Sequence, residues 1–502
     1  MLTATVASRA SAGLDAPAIC VEVHLSPGLP AFTIVGLPEN TVREARERVR
    51  SALITSHCNW PDHRITVSLA PADLPKGGGR FDLPIALGLL VASGQLPKGC
   101  LERREFFGEL GLDGSVRACS GLLTAVSAAT QNSHACFVPE AQAAHLARVP
   151  GSEIIGASDL LGTCGKLRAT HAQATPAKET PDEPAKPAMD WRDIRQQQVA
   201  KRCLEVAAAG GHHCLLVGPP GAGKTLLASA MPGILPALSE QEQLECNLIA
   251  DLMGRPPVHH RPFQSPHHTA SPIALVGGGT RAVPGEISLA HLGILFLDEL
   301  PEFPRRVLDQ LRQPLEAGYI DVARARHSYR YPARFQLIAA MNPCPCGYAG
   351  VEGRHCRCTG RDVARYQAGI SGPLLDRIDL HAQAQRQPAV ALLENNLPEN
   401  GSQETSAEVR ERVSAARTRQ LNRQGCTNAE LPGNSILDVC SVEATVLKDF
   451  ESACDRLGLS GRAIHRCLRV ALTLADLSGE SSLSSACLLE ALSYRPKIGS
   501  PG

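Results

Sequence analysis

The chain has no excess of either charge: 50 basic and 50 acidic side chains cancel. That balance excludes long-range attraction of the whole molecule to polyanions, so any nucleic-acid surface must be a local patch. No apolar run approaches the roughly 18 residues of a membrane-spanning helix, which excludes that class of membrane protein. Met1-Leu2-Thr3-Ala4-Thr5 has no basic start and no apolar leader follows. A cytoplasmic protein with reduced thiols is therefore expected, despite 18 cysteines. No repeat of solenoid length is present. Length is what the chain has in plenty, since 502 residues exceed one ordinary core and predict two to four domains.

The most specific string is Gly218-Pro219-Pro220-Gly221-Ala222-Gly223-Lys224-Thr225, set between the apolar run Cys214–Val217 and the helix-like Leu226–Ala230. A buried strand entering a glycine-rich loop that opens a helix is a phosphate cradle, because backbone N–H groups and the helix's amino end both favour anions. The glycines let backbone approach phosphate where a Cβ would obstruct. Lys224 is expected at the β/γ-phosphates of ATP, and Thr225 on Mg²⁺. A plain glycine turn between strand and helix is the alternative.

Further along, Ile294-Leu-Phe-Leu-Asp-Glu299 predicts a buried strand ending in two carboxylates. Asp298 would organise Mg²⁺ and Glu299 would deprotonate the attacking water, although such a pair also serves as a helix cap. Phe335–Asn342 predicts the next buried strand. Asn342 at its end is a candidate to hold the lytic water or sense the γ-phosphate, or else a turn former. Arg377, between Asp376 and Asp379, is either salt-bridged or presented to a neighbouring subunit's γ-phosphate. In the helix opened by Ser460-Gly461-Arg462, which also carries Arg466 and Arg469, Arg462 is the residue expected to reach phosphate from the same subunit.

Four segments follow from pattern and composition. Residues 1–168 alternate β-branched runs (Ala18–His24, Phe32–Val35) with amphipathic stretches such as Asn40–Ser56, an α/β pattern. Residues 169–189 form a linker, semi-extended by the prolines between His171 and Pro187. Residues 190–387 alternate helices and apolar strands, predicting a parallel sheet covered by helices. Residues 388–502 read as a helical lid, with helices over Ser406–Gln424, Val442–Leu457, Gly461–Leu477 and Ser484–Leu492.

The ordered set from Gly218 to Arg462 resembles an AAA+ ATPase. More closely, Ser265-Pro-His-His-Thr-Ala-Ser271, Gly277–Gly279, Pro284-Gly-Glu-Ile-Ser-Leu-Ala-His291, Met341-Asn-Pro-Cys-Pro-Cys-Gly347 and Gly372-Pro-Leu-Leu-Asp-Arg-Ile-Asp-Leu-His381 resemble the magnesium-chelatase-like ComM/YifB family, over nearly the whole chain. The resemblance implies a helix-2 insert between about Ile249 and Leu289, a pre-sensor hairpin near Ile320–Arg334 and a homo-oligomeric ring, usually a hexamer. It also implies an ATP-driven helicase promoting branch migration of DNA, branched or single-stranded, alongside recombination proteins in natural transformation. Pro75–Leu83 and Gly108–Arg117 resemble the family's Lon-protease-like domain. The lysine that Lon proteases carry next is missing from Ala118–Ala125, and no nucleophile motif precedes it, so a non-catalytic domain for DNA or partner binding is expected. The competing readings are a chelatase-type ATPase that remodels a protein for metal insertion into a porphyrin, and a nucleotide-gated scaffold, which intact Lys224, Asp298 and Glu299 argue against.

Cys344, Cys346, Cys356 and Cys358 form two close pairs across a basic, glycine-containing loop. Four thiolates would satisfy tetrahedral Zn²⁺, with unligated thiols as the alternative. The pairs His259-His260 and His267-His268 lack such partners and predict no metal. Around Arg324, Arg326, His327, Arg330 and Arg334, cations interleave with Tyr329 and Tyr331. That mixture suits backbone neutralisation and base stacking on single strands, or a solvated edge hairpin.

Overall fold

The computed structural model describes residues 2–36, 42, 44–74, 76–169, 173–176, 189–279, 282–324, 327–351, 353–386, 404–439 and 441–495. The amino-terminal part is built on a seven-stranded mixed sheet. In spatial order its strands are Ala31–Val35, Arg64–Ala70, Ala18–Ser26, Thr3–Arg9, Arg104–Phe106, Ala135–Pro139 and Ile154–Ala157. Thr3–Arg9 and Ala18–Ser26 bury every second residue, the signature of a sheet with one wet face. Helix Asp82–Ala92 covers the dry face and is buried at every position, as a helix apolar all round must be. Gly88 makes this approach feasible, because a Cβ there would lie 2.6 Å from Val23 Cγ2.

Helix Ala45–Thr55 buries Ala45, Val49 and Leu53 as expected of Asn40–Ser56, and Val42 ahead of it is also buried; residues 40, 41 and 43 lie outside the described residues. Most of the proline-rich stretch 171–187 does too. Of the part described, Thr175 donates its N–H to the Ile154 carbonyl at 2.7 Å and so lies along the last strand of the sheet.

The second sheet has five strands, in the order Phe263–Gln264, Ile294–Leu297, Gln336–Met341, Cys214–Val217 and Leu380–Gln383, all parallel. Its inner strands are continuous apolar runs because helices cover both faces. Parallel pairing has a consequence for chemistry: every strand ends on the same edge. Gly218, Asp298 and Asn342 each follow a strand directly and so meet there.

Helices Ser406–Gln424, Ala444–Arg456, Gly461–Ser478 and Ser485–Ser493 follow the sheet. Their apolar faces share one buried cluster with helix Gln198–Gly210 and the strands Cys214–Val217 and Leu380–Gln383. Among the described residues no helix is long and apolar enough to cross a membrane.

The hairpin Tyr319–Arg324 and His327–Pro332 lies where the pre-sensor hairpin was expected, but its aromatic face is turned inward. Residues directly opposite across an antiparallel pair share a face, and Ile320 pairs Tyr331 while Val322 pairs Tyr329. Tyr331 is 2% exposed and donates its hydroxyl to the Ala282 carbonyl at 2.8 Å. Tyr329 packs against Gly13, where a Cβ would sit 2.7 Å from its ring. Tyr331 is a core residue and Tyr329, on the same side of the hairpin, is half-buried, so the base stacking expected of them is corrected for Tyr331: strand alternation commits its ring to the packed side. Arg330, on the other face, is held by Asp321 at 2.9 and 3.2 Å and lies 3.8 Å above the Tyr319 ring. Arg326 and the side chains of Arg324 and His327 lie outside the described residues.

Candidate active site

The phosphate loop runs from the end of Cys214–Val217 into helix Lys224–Ile234, with Gly221 and Gly223 at φ +73° and +81°. Only glycine adopts that left-handed backbone without strain, and two such turns fold the loop over the helix's amino end. Pro220, Gly221, Ala222, Gly223, Lys224, Thr225, Asp298, Glu299 and Asn342 line one cleft of about 610 Å³.

Within it the polar contacts form a chain. Lys224 Nζ donates to the carbonyls of Gly218 at 2.7 Å and Pro219 at 3.0 Å, and to Asn342 Oδ1 at 3.1 Å. Burial lowers the Lys224 pKa, while Asp298 and Glu299 act to raise it. Thr225 Oγ1 donates to Asp298 Oδ2 at 2.6 Å, and Asp298 Oδ1 accepts the Glu299 N–H at 2.9 Å. These are hard oxygens on a half-exposed ledge, the donor type Mg²⁺ takes. Glu299 has φ +52°, left-handed backbone that a non-glycine residue adopts at a cost of about 1–3 kcal/mol. The turn lifts its carboxylate off the strand's line and leaves it exposed at the mouth of the cleft.

The four clustered cysteines converge just beyond Asn342. Their sulfurs all lie within 4.8 Å of one another, with Cys344–Cys346 at 3.4 Å, Cys344–Cys356 at 3.7 Å and Cys346–Cys356 at 3.6 Å. A tetrahedron of thiolates about 2.3 Å from zinc has edges of about 3.8 Å, so the donor set fits that ion. Backbone N–H groups of Arg357 and Tyr348 hold the Cys346 thiol down, to about 6. The knuckle rests on the phosphate loop: at Gly347, φ +83°, an added Cβ would lie 2.4 Å from Pro220 Cδ. Nothing in the spacing of the cysteines announces that contact.

Arg462, expected at its own subunit's phosphate, is not in the cleft, and Arg377, expected either salt-bridged or presented to a neighbouring subunit, is found salt-bridged within this chain. Arg377 is ion-paired with Glu316 and donates to the Pro373 carbonyl at 2.5 Å; it does not line its own subunit's cleft. Arg462 is exposed on the first turn of helix Gly461–Ser478 and is not brought to the cleft either. Its neighbour Arg466 is 6% exposed and donates to the carbonyl of Asp376, tying this helix to the residue before Arg377. A second tie was not legible in sequence. Buried His212 bridges Asp379 Oδ2 at 3.1 Å and Thr473 Oγ1 at 2.8 Å, so strand and helix share one polar network.

Sequence reasoning also passed over His268. Its Nδ1 lies 3.4 Å from Glu299 Oε2. The only signal was its place in the string Ser265–Ser271, which carried a family resemblance but no role.

Three family models match the chain in order: subunit ChlI of Mg-chelatase over residues 21–142, magnesium chelatase subunit ChlI over 190–392, and the ChlI C-terminal part over 403–495. YifB of Salmonella typhimurium is 47% identical over 499 residues, covering 99% of this chain and 97% of that protein. The competence protein ComM of Haemophilus influenzae is 46% identical over 506 residues, with coverage of 99% and 98%. A Mycobacterium tuberculosis relative is 40% identical over 502 residues, 97% of each chain.

Proposed function

Because the chain belongs to the magnesium-chelatase-like ComM/YifB family of AAA+-type ATPases, we propose that it is an ATP-hydrolysing ring motor acting on DNA, a branch-migration helicase that supports recombination of incoming DNA. The observation that carries the ATPase half is the convergence of Lys224, Thr225, Asp298, Glu299 and Asn342 on one cleft at the carboxyl edge of a parallel sheet. The DNA half rests on likeness over almost the whole chain to a relative named a competence protein. That likeness includes residues 1–168, and it favours DNA over porphyrin metallation.

On this reading the loop amides and Lys224 bind the ATP phosphates, and Thr225 and Asp298 hold Mg²⁺, which neutralises phosphate charge. Glu299 takes the proton of the attacking water, and Asn342 orients that water. Arg377 is presented to the neighbouring subunit in a homo-oligomer, a hexamer by family likeness, where a guanidinium stabilises transition-state charge. Arg462 enters the site only by movement of the lid, residues 388–502. Residues 1–168 form a Lon-protease-like domain without protease chemistry that binds DNA or a partner, joined by the linker 169–189 to the core 190–387. Zn²⁺ held by the four cysteines is structural, and the protein works in the cytoplasm.

The test compares ATPase rates with no nucleic acid, single strands, duplex and four-way junctions. Stimulation by branched or single-stranded DNA is expected. No stimulation by any DNA, with stimulation by a protein instead, would overturn the helicase reading.

A further inference from the structure

A second enclosure, of about 260 Å³, lies on the seam between the amino-terminal sheet and the core, and it shares no lining residue with the phosphate cleft. Residues 77–80 and 118–120 wall it on one side, and Leu252, Pro284, Tyr329 and Tyr331 close it on the other. The glycines at 77, 78 and 79 give the first wall bare backbone.

Arg80 decides the chemistry of this space. It is 3% exposed, yet its guanidinium bonds only to carbonyls, through Nη1 to Arg9 at 3.4 Å and through Nη2 to Ser120. Among the described residues no carboxylate forms an ion pair with it. Arginine keeps its charge at any working pH and carries five N–H donors in a planar fork. A buried cation with neutral partners alone is costly, and burial accordingly lowers the Arg80 pKa. The groups that act on it supply no counter-ion: Asp251 accepts the Leu123 N–H at 2.7 Å, and the Cys119 thiol, pushed up to about 11 by burial, is neutral. Glu109 is also in the wall, and its charge acts on Arg48. Helix Leu122–Gln131 starts beside the guanidinium, where a Cβ on Gly121 would lie 3.2 Å from Nη2, so its amino end adds potential of the same sign.

We propose that this enclosure binds a small phosphoanion, which supplies the counter-ion Arg80 lacks and fastens the amino-terminal part to the core. A guanidinium fork and bare glycine backbone are the groups that phosphate oxygens take. Sites for drug-sized ligands run from roughly 300 to 1,000 Å³, so this smaller space fits inorganic phosphate or a small phosphate ester. Neither ATP hydrolysis nor DNA binding enters the assignment.

The experiment titrates inorganic phosphate, at constant ionic strength, into the full chain carrying Lys224→Ala, which lacks the cation of the phosphate cleft. Calorimetry is expected to show saturable binding, and amide exchange is expected to slow in residues 118–120 and 327–332 together, one wall from each part of the chain. Ser120 is exposed at the rim. Ser120→Asp offers Arg80 a carboxylate from within and is expected to weaken phosphate at least tenfold, whereas the neutral Ser120→Asn stays within about threefold. Glu109→Gln removes the negative charge from the wall and is expected to tighten binding about two- to fivefold, a gain that misfolding does not imitate. Adenosine monophosphate separates the sources: tighter binding than inorganic phosphate assigns the site to phosphate esters, and binding no tighter assigns it to the free anion. No saturable binding below about 10 mM phosphate, equal affinity in the two Ser120 variants, or binding no tighter in Glu109→Gln overturns the proposal.

Discussion

Lys224 and Glu299 share a cleft but answer to different steps, and substitution separates them. Lys224 is held by two loop carbonyls and Asn342, acceptors with which a phosphate oxygen competes, and burial already lowers its pKa. Removing its side chain deletes the cation that a polyphosphate meets first. Lys224→Ala is therefore expected to abolish ATP binding in a fluorescent-nucleotide titration. Glu299 is exposed at the cleft's mouth and bonds to none of the loop's amides, so Glu299→Gln should bind ATP within about threefold of the parent. Its hydrolysis should fall by about 10²–10⁴, the usual worth of a general base. Equal loss of binding in both variants would mean that Glu299 belongs to the binding surface and not to the chemistry.

At the scale of elements, the cysteine knuckle and the phosphate loop form one packed unit. Gly347 has a positive φ and no room for a Cβ beside Pro220, so Gly347→Ala meets both a backbone penalty and a clash. ATP affinity is expected to drop at least tenfold while the circular dichroism spectrum stays parental. On the proposed zinc site, a chelator should weaken ATP binding in the same direction, and unchanged affinity after either treatment would uncouple knuckle from loop. The parallel core itself was legible, because its strands are unbroken apolar runs each ending in a chemically distinctive residue: Gly218, Asp298 and Asn342. The helix Ser406–Gln424 was legible to the residue, since Thr405 and Glu408 cap each other across its first turn. What stayed hidden depends on partners distant in sequence. Two-residue alternation placed Tyr329 and Tyr331 on a single face of the hairpin, but only Ala282 and Gly13 decide that this face is the inner one. Likewise, His268 meets Glu299 and Gly347 meets Pro220, and no local pattern encodes such meetings.

Across the whole molecule, the amino-terminal sheet and the ATPase core are joined through a helix end. Helix Leu122–Gln131 starts at Gly121, which has no side chain to cap it, and the missing acceptor comes from the other part of the chain. Asp251, near the end of helix Glu240–Leu252, accepts the Leu123 N–H at 2.7 Å through its carboxylate and the Gly121 N–H at 3.3 Å through its carbonyl. Leu244 and Leu248 of that same helix pack on the apolar cluster of Leu122, Leu123, Ala125 and Val126. A carboxylate at a helix amino end both satisfies an orphan donor and meets the helix dipole, together worth about 1–2 kcal/mol. Burial raises the Asp251 pKa, so desolvation offsets part of that gain. Asp251→Ala is expected to lower the melting temperature of the amino-terminal part by about 2–4 °C and to speed amide hydrogen exchange in residues 122–131. Asp251→Asn, which keeps an acceptor without the charge, should recover part of both. Because the chain runs on from this end of helix Glu240–Leu252 to strand Phe263–Gln264 at the edge of the core sheet, loosening the Asp251 attachment should also change basal ATP hydrolysis. Exchange that quickens with hydrolysis unaltered would show that the amino-terminal part docks on the motor without reporting to it.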